Sequence, residues 1–135
     1  TYNSNKKSLF SAAERQDMLK ELCKPWPNVA VDTWEGLVAE YALQGRAGES
    51  KLVLIRGIRD SAEWQAEYTM SLYNKSLGNG LETIFLSALP EYAMISSTGV
   101  REVAEFGGDL SKFVPGLIQE KLTANHANDY KNKSY

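Results

Sequence analysis

The sequence predicts an α/β fold built on a parallel sheet, and three observations carry that prediction. Helical and short strand-like stretches alternate along the chain, which is the order of a sheet with right-handed helical crossovers. One strand-like stretch, Leu52-Val53-Leu54-Ile55, is continuously apolar, and such a strand calls for cover on both faces. The helical stretches open on capping residues and close on glycine or proline. The chain has 135 residues, 43% hydrophobic and 24% charged, which suits one folded domain and rules out wholesale disorder.

The elements follow in order. Ser11-Ala12-Ala13-Glu14 is a capping box, in which the Ser11 hydroxyl and the Glu14 carboxylate each satisfy a free amide. The helix it opens puts Met18, Leu19 and Leu22 on one face, and Pro25 and Pro27 stop it. A short strand is expected at Val29 to Val31. Leu37, Val38, Tyr41 and Ala42 then recur at helical spacing, with Gly45 or Gly48 closing that helix. After the apolar strand, Arg56-Gly57-Ile58-Arg59 is expected to turn the chain, and Asp60 with Glu63 to cap a long helix whose stripe is Ala66, Met70, Tyr73 and Leu77. Thr83 to Leu86 is the next strand. Ser96-Ser97-Thr98 opens a helix that closes at Gly107-Gly108, and Pro115 suits the first turn of a last amphipathic helix carrying Leu117, Ile118 and Leu122. The segment 125–135 reads as a polar tail.

Composition narrows the function. A formal charge of -2 offers no basic field for a nucleic-acid backbone, so a small ligand is favoured over a polymer. The one cysteine, Cys23, excludes an intrachain disulfide and fits a reducing cytoplasm. No apolar run approaches the ~20 residues of a membrane span. The one histidine, His126, lies far from Cys23, so neither a Cys-His couple nor a zinc site has support.

In an open α/β sheet, ligands bind beyond the carboxyl ends of the strands, so the residues after each strand are the informative ones. Arg56 and Arg59 flank Gly57 there: two guanidiniums able to grip phosphate oxygens, and a glycine that lets a ligand approach the backbone. The plainer alternative is a turn with surface arginines paired to Asp60 or Glu63. After the next strand, Tyr92-Ala93-Met94-Ile95-Ser96-Ser97-Thr98 brings three hydroxyls to a helix amino end, where free amides already favour an anion. Capping accounts for one hydroxyl and leaves two over. Lys6 and Lys7, in isolation, read as solvated lysines. Trp64, Tyr68 and Tyr73 on the long helix suit a core or a subunit contact.

Together these stretches form an ordered set. Lys6-Lys7-Ser8-Leu9-Phe10-Ser11 with Glu14-Arg15, then Leu54-Ile55-Arg56-Gly57-Ile58-Arg59, Glu67 and Asn74, Leu81 to Leu86, Glu91 to Thr98, and Arg101-Glu102-Val103-Ala104 with Phe106-Gly107-Gly108-Asp109, closely resemble the bacterial phosphopantetheine adenylyltransferases of the nucleotidylyltransferase superfamily. The resemblance runs from about Asn5 to Leu122. It implies a Rossmann-like, doubly wound parallel sheet of strand order 3-2-1-4-5. The activity implied is adenylyl transfer from ATP to 4'-phosphopantetheine, giving dephospho-CoA and pyrophosphate in coenzyme A biosynthesis. The alternatives are a nucleotide-binding module without catalysis and a related nucleotidylyltransferase with another phosphorylated acceptor.

Carried over residue by residue, the resemblance implies that Lys6 and Arg56 stabilise phosphate and that Lys6, Val38 and Arg56 bind the acceptor. Gly57, Ile58, Arg59 and Glu67, with Tyr92, Ala93, Met94, Ile95, Ser96, Ser97 and Thr98, would bind ATP. It further implies Mg²⁺ as cofactor, no metal site of the protein's own, a cytoplasmic homohexamer, and no nucleic-acid or membrane partner. Two departures from the family pattern touch no binding motif: the segment Gly45 to Ser50 is longer than usual, and Gly99 replaces a larger residue. The third concerns the beginning. Family members start with a strand, a Gly-Ser/Thr-Phe-Asp-Pro loop and a Thr-x-Gly-His motif, so residues 1–135 are expected to be one domain lacking its N-terminal βαβ portion. The transition-state histidine is then expected upstream of Thr1, since His126 has neither its motif nor its position.

Overall fold

The computed structural model describes residues 8–44 and 52–132, with side chains through residue 125. The chain forms two compact units, Thr1–Ala88 and Leu89–Tyr135.

In the first unit, α1 (Ala12–Cys23) starts on the expected capping box: the Glu14 N–H donates to Ser11 Oγ at 3.2 Å, and the Ser11 N–H to Glu14 Oε2 at 2.7 Å. Met18 is its buried residue. The expected strand at Val29 to Val31 does not form. A strand exists by its ladder, and among the described residues the sole ladder lies elsewhere. The chain instead runs into a pinned turn, where Trp34 Nε1 donates to the Leu37 carbonyl at 3.0 Å and Tyr41 Oη to Asp32 Oδ2 at 3.3 Å. The short helix α2 (Val38–Leu43) follows.

The sheet is parallel and, among the described residues, two-stranded: β1 (Val53–Ile58) pairs with β2 (Glu82–Ser87) in the register Leu54 to Thr83, Arg56 to Phe85 and Ile58 to Ser87. Helix α3 (Ser61–Leu77) links the two strands and covers one face. Leu54, Ile58, Thr83 and Phe85 are half-buried on it, and Trp64 meets Phe85 edge-on at 4.9 Å. The other face carries Ile55, 65% exposed, with Val53, Ile84 and Leu86. Cover on both faces, expected from the apolar run, is therefore present on one face only among the described residues. The strand also runs further than the sequence suggests. Arg56 and Gly57 are ladder residues rather than a turn, because β2 supplies hydrogen-bonding partners as far as Ser87.

The ends of α3 are set locally. Asp60 caps its start by accepting the Glu63 N–H at 2.8 Å. At its finish a Cβ on Gly78 would lie 2.7 Å from the Asn74 carbonyl oxygen, so only glycine fits. Asn79 and Gly80 take positive φ to turn the chain into β2, and Lys75 pairs with Glu82 at 2.9 Å across that turn.

In the second unit, α4 (Pro90–Ala93) has Pro90 in its first turn, a short helix the sequence pattern does not reveal. Helix α5 (Ser97–Glu105) ends as expected: Gly107 has φ of +69° and the Gly108 N–H donates to the Val103 carbonyl at 2.8 Å. Helix α6 (Gly116–Asn132) starts just after Pro115, packs on α5, and continues through the first part of the segment read as a tail. Leu110 and Leu122 are buried. No described helix is long and apolar enough to cross a membrane.

Candidate functional site

The carboxyl end of β1 gathers two arginines and two glutamates. Side chains alternate along a strand, so Arg56, like Leu54 and Ile58, points to the face that α3 covers. There it meets Glu67, two turns into α3: Arg56 Nε donates to Glu67 Oε2 at 2.8 Å and Nη2 to Oε1, a bidentate fork. One turn earlier, Glu63 Oε1 accepts from Arg59 Nε at 2.9 Å and from Nη2, while its Oε2 accepts the Arg59 backbone N–H at 3.0 Å. Residues 63 and 67 sit four apart on a helix and share a face, so one helix face orients both guanidiniums. The hydrogen bonds they donate to Glu67 and Glu63 hold Arg56 and Arg59 above the ordinary arginine value, and accepting those from Arg59 holds the Glu63 carboxyl below the ordinary carboxylate range.

Between the arginines, Gly57 has no atom of the described residues within 4 Å of where a Cβ would stand, and its φ is not positive. Neither packing nor backbone conformation requires glycine there. The open space beside it is what a closely approaching ligand needs.

In the second unit, Ser96 is the N-cap of α5, its Oγ accepting the Gly99 N–H at 3.0 Å. The cap uses that one hydroxyl, and Ser97 and Thr98 are exposed. Beside the cap lies a cleft of about 140 Å³ lined by Met94, Ile95, Ser96, Gly99, Val100, Val103 and Phe113. Small-molecule pockets start at about 300 Å³, so this cleft, with its apolar wall and polar lip, has room for only part of a small molecule. Phe113 is a lining residue the sequence does not reveal, because it reaches the cleft from the loop after α5.

The cytidylyltransferase-like family matches residues 1–103. Curated relatives agree over a longer span. The phosphopantetheine adenylyltransferase of Caldanaerobacter subterraneus subsp. tengcongensis is 44% identical over 120 residues, 89% of this chain and 72% of that protein. That of Desulforamulus reducens is 42% identical over the same shares. That of Treponema pallidum is 42% identical over 125 residues, 90% of this chain and 76% of its own. The chain belongs to the phosphopantetheine adenylyltransferase family.

Membership in this family agrees with the mixed α/β architecture and its parallel sheet. Of the residues that the sequence assigns to a phosphopantetheine adenylyltransferase site, the first unit brings together Arg56, Gly57, Ile58, Arg59 and Glu67. It places Val38 on the first turn of α2, the helix that packs on α3. Tyr92, Ala93, Met94, Ile95, Ser96, Ser97 and Thr98 are contiguous in the second unit, from α4 into α5. Lys6 lies outside the described residues. The sequence gives Glu63 no more than a cap or an ion pair, and the structure adds that it grips Arg59 at both ends.

Proposed function

We propose that the chain transfers the adenylyl group of ATP to 4'-phosphopantetheine, giving dephospho-CoA and pyrophosphate for coenzyme A biosynthesis. The observation that carries this reading is the pair of guanidiniums at the carboxyl end of β1, set in a family whose curated members bear that activity in their name. A phosphate oxygen of the acceptor attacks the α-phosphorus of ATP, the bond from that phosphorus to the oxygen bridging to the β-phosphorus breaks, and pyrophosphate leaves. No covalent enzyme intermediate is needed. Such chemistry depends on positioning and on neutralising charge spread over phosphoryl oxygens.

In this reading Arg56, with Lys6, holds the acceptor phosphate, and Val38 lines the pantetheine pocket. Gly57, Ile58, Arg59 and Glu67 hold ATP, together with the stretch Tyr92 to Thr98. The exposed hydroxyls of Ser97 and Thr98 support a phosphate role beyond capping. Magnesium would arrive on the nucleotide, since Mg²⁺ is commonly held by substrate phosphates with few protein ligands. When bound, it neutralises charge on the phosphates. The assembly is a cytoplasmic homohexamer, and the exposure of Trp64, Tyr68 and Tyr73 on α3 supports a subunit contact.

Pyrophosphate release by the purified full-length protein tests the reading. Release from ATP with 4'-phosphopantetheine, and background rates with other phosphorylated acceptors, are expected. ATP binding without release would leave a nucleotide-binding module, and a preference for another acceptor would move the chain to a neighbouring nucleotidylyltransferase.

A further inference from the structure

We propose that Glu63 is a positioning residue that presents the Arg59 guanidinium to the phosphates of the nucleotide. This rests on the reading of Arg59 as an ATP ligand, and it concerns a residue to which that reading gives no part. One carboxylate anchors Arg59 twice: Oε2 takes its backbone N–H at 3.0 Å, and Oε1 takes Nε at 2.9 Å and Nη2. The long, rotamer-rich side chain is thereby fixed at its root and at its head. Glu63 is itself fixed, since it belongs to the first turn of α3 and its own N–H donates to Asp60 Oδ1 at 2.8 Å. Arg56 differs, because Glu67 holds its guanidinium and not its backbone. A guanidinium ordered before ligand arrives loses less entropy on binding and keeps its plane aligned with the reacting phosphates.

A carboxylate beside a phosphate ligand also repels the phosphate, and the two effects have opposite signs. The Arg59 and Glu63 side chains are 31% and 30% exposed. Taken through water, the repulsion of one unit charge about 4 Å away changes affinity by about fivefold, and salt screening lowers that. Loss of orientation in a phosphoryl-transfer site costs about tenfold or more, so positioning wins.

The test uses the full-length protein, with KM for ATP and for 4'-phosphopantetheine and the melting temperature measured for each variant. Glu63→Ala is expected to raise the ATP KM about tenfold and to leave the acceptor KM within about twofold. Glu63→Gln keeps one acceptor oxygen, enough for the Arg59 side chain or its backbone N–H but not for both, so it should restore part of that loss and covers the case in which the alanine variant fails to fold. Glu63→Ala should add nothing further in an Arg59→Ala background. A fall in the ATP KM of both Glu63 variants, or a lower melting temperature with both KM values unchanged, overturns the proposal. If Arg59→Ala raises the ATP KM and Glu63→Ala does not, the positioning role alone is lost. An unchanged ATP KM in Arg59→Ala removes the reading of Arg59 and the proposal with it.

Discussion

The β1 end in the first unit and the start of α5 in the second both suit phosphate, and they reach that suitability by different physics. At β1 the positive charge sits on two long side chains, Arg56 and Arg59, each forked onto a carboxylate of α3. At α5 it sits on the backbone, in free amides and a helix dipole, with a serine for a cap and two exposed hydroxyls beyond it. Side-chain charge has to be ordered by partners, whereas helix amides are ordered by the helix. The two regions should therefore fail differently. Loss of a side chain at β1 should cost activity with little cost in stability, and loss of the cap at α5 should cost stability first.

The largest expected effect is at Arg56. Removing a bidentate phosphate donor from a phosphoryl-transfer site costs about 100-fold in rate, so Arg56→Ala should lower kcat/KM for 4'-phosphopantetheine by about that factor. The Arg56 side chain is 53% exposed, so the melting temperature should move little. Arg56→Lys should not restore the rate, because an ammonium cannot reproduce the planar fork. Equal losses for Arg56→Ala and for a distant exposed arginine would show that charge and not geometry matters at β1.

Gly57→Ala comes next and isolates the open space. No atom of the described residues stands in the way of the added methyl, and replacing glycine in a strand should leave stability unchanged or raise it slightly. If a ligand approaches the backbone there as proposed, activity should fall about tenfold. A fully active Gly57→Ala variant would remove the close approach from the site.

How much of this was legible in the sequence follows from how local each cause is. The caps at Ser11, Asp60 and Ser96 were readable because donor and acceptor lie three residues apart. The strand character of Arg56 and Gly57 was not, because it depends on β2 offering partners up to Ser87, some thirty residues on. The absence of a ladder at Val29 to Val31 has the same origin. The partners of the two arginines divide the same way. Glu63 was readable as a neighbour of Arg59 at helical spacing, while the fork from Arg56 to Glu67 required the register of helix against strand. Family resemblance supplied roles for Arg56 and Glu67 separately, and the geometry joined them.

The smallest expected effect separates capping from ligand binding among the three hydroxyls of α5. Ser96→Ala removes the acceptor of the Gly99 N–H and should destabilise the fold by about 1 kcal/mol, seen as a lower melting temperature. Ser97→Ala and Thr98→Ala remove exposed hydroxyls that are not the cap, so stability should stay put and the ATP KM should rise. Ser96 also lines the cleft beside the cap, so its variant is expected to show both effects. If all three variants lowered the melting temperature alone, the hydroxyl run would be structural, and the anion site at α5 would reduce to the amides of its first turn. The contrast with β1 would then be sharper still: one region binding through side chains held by carboxylates, the other through backbone alone.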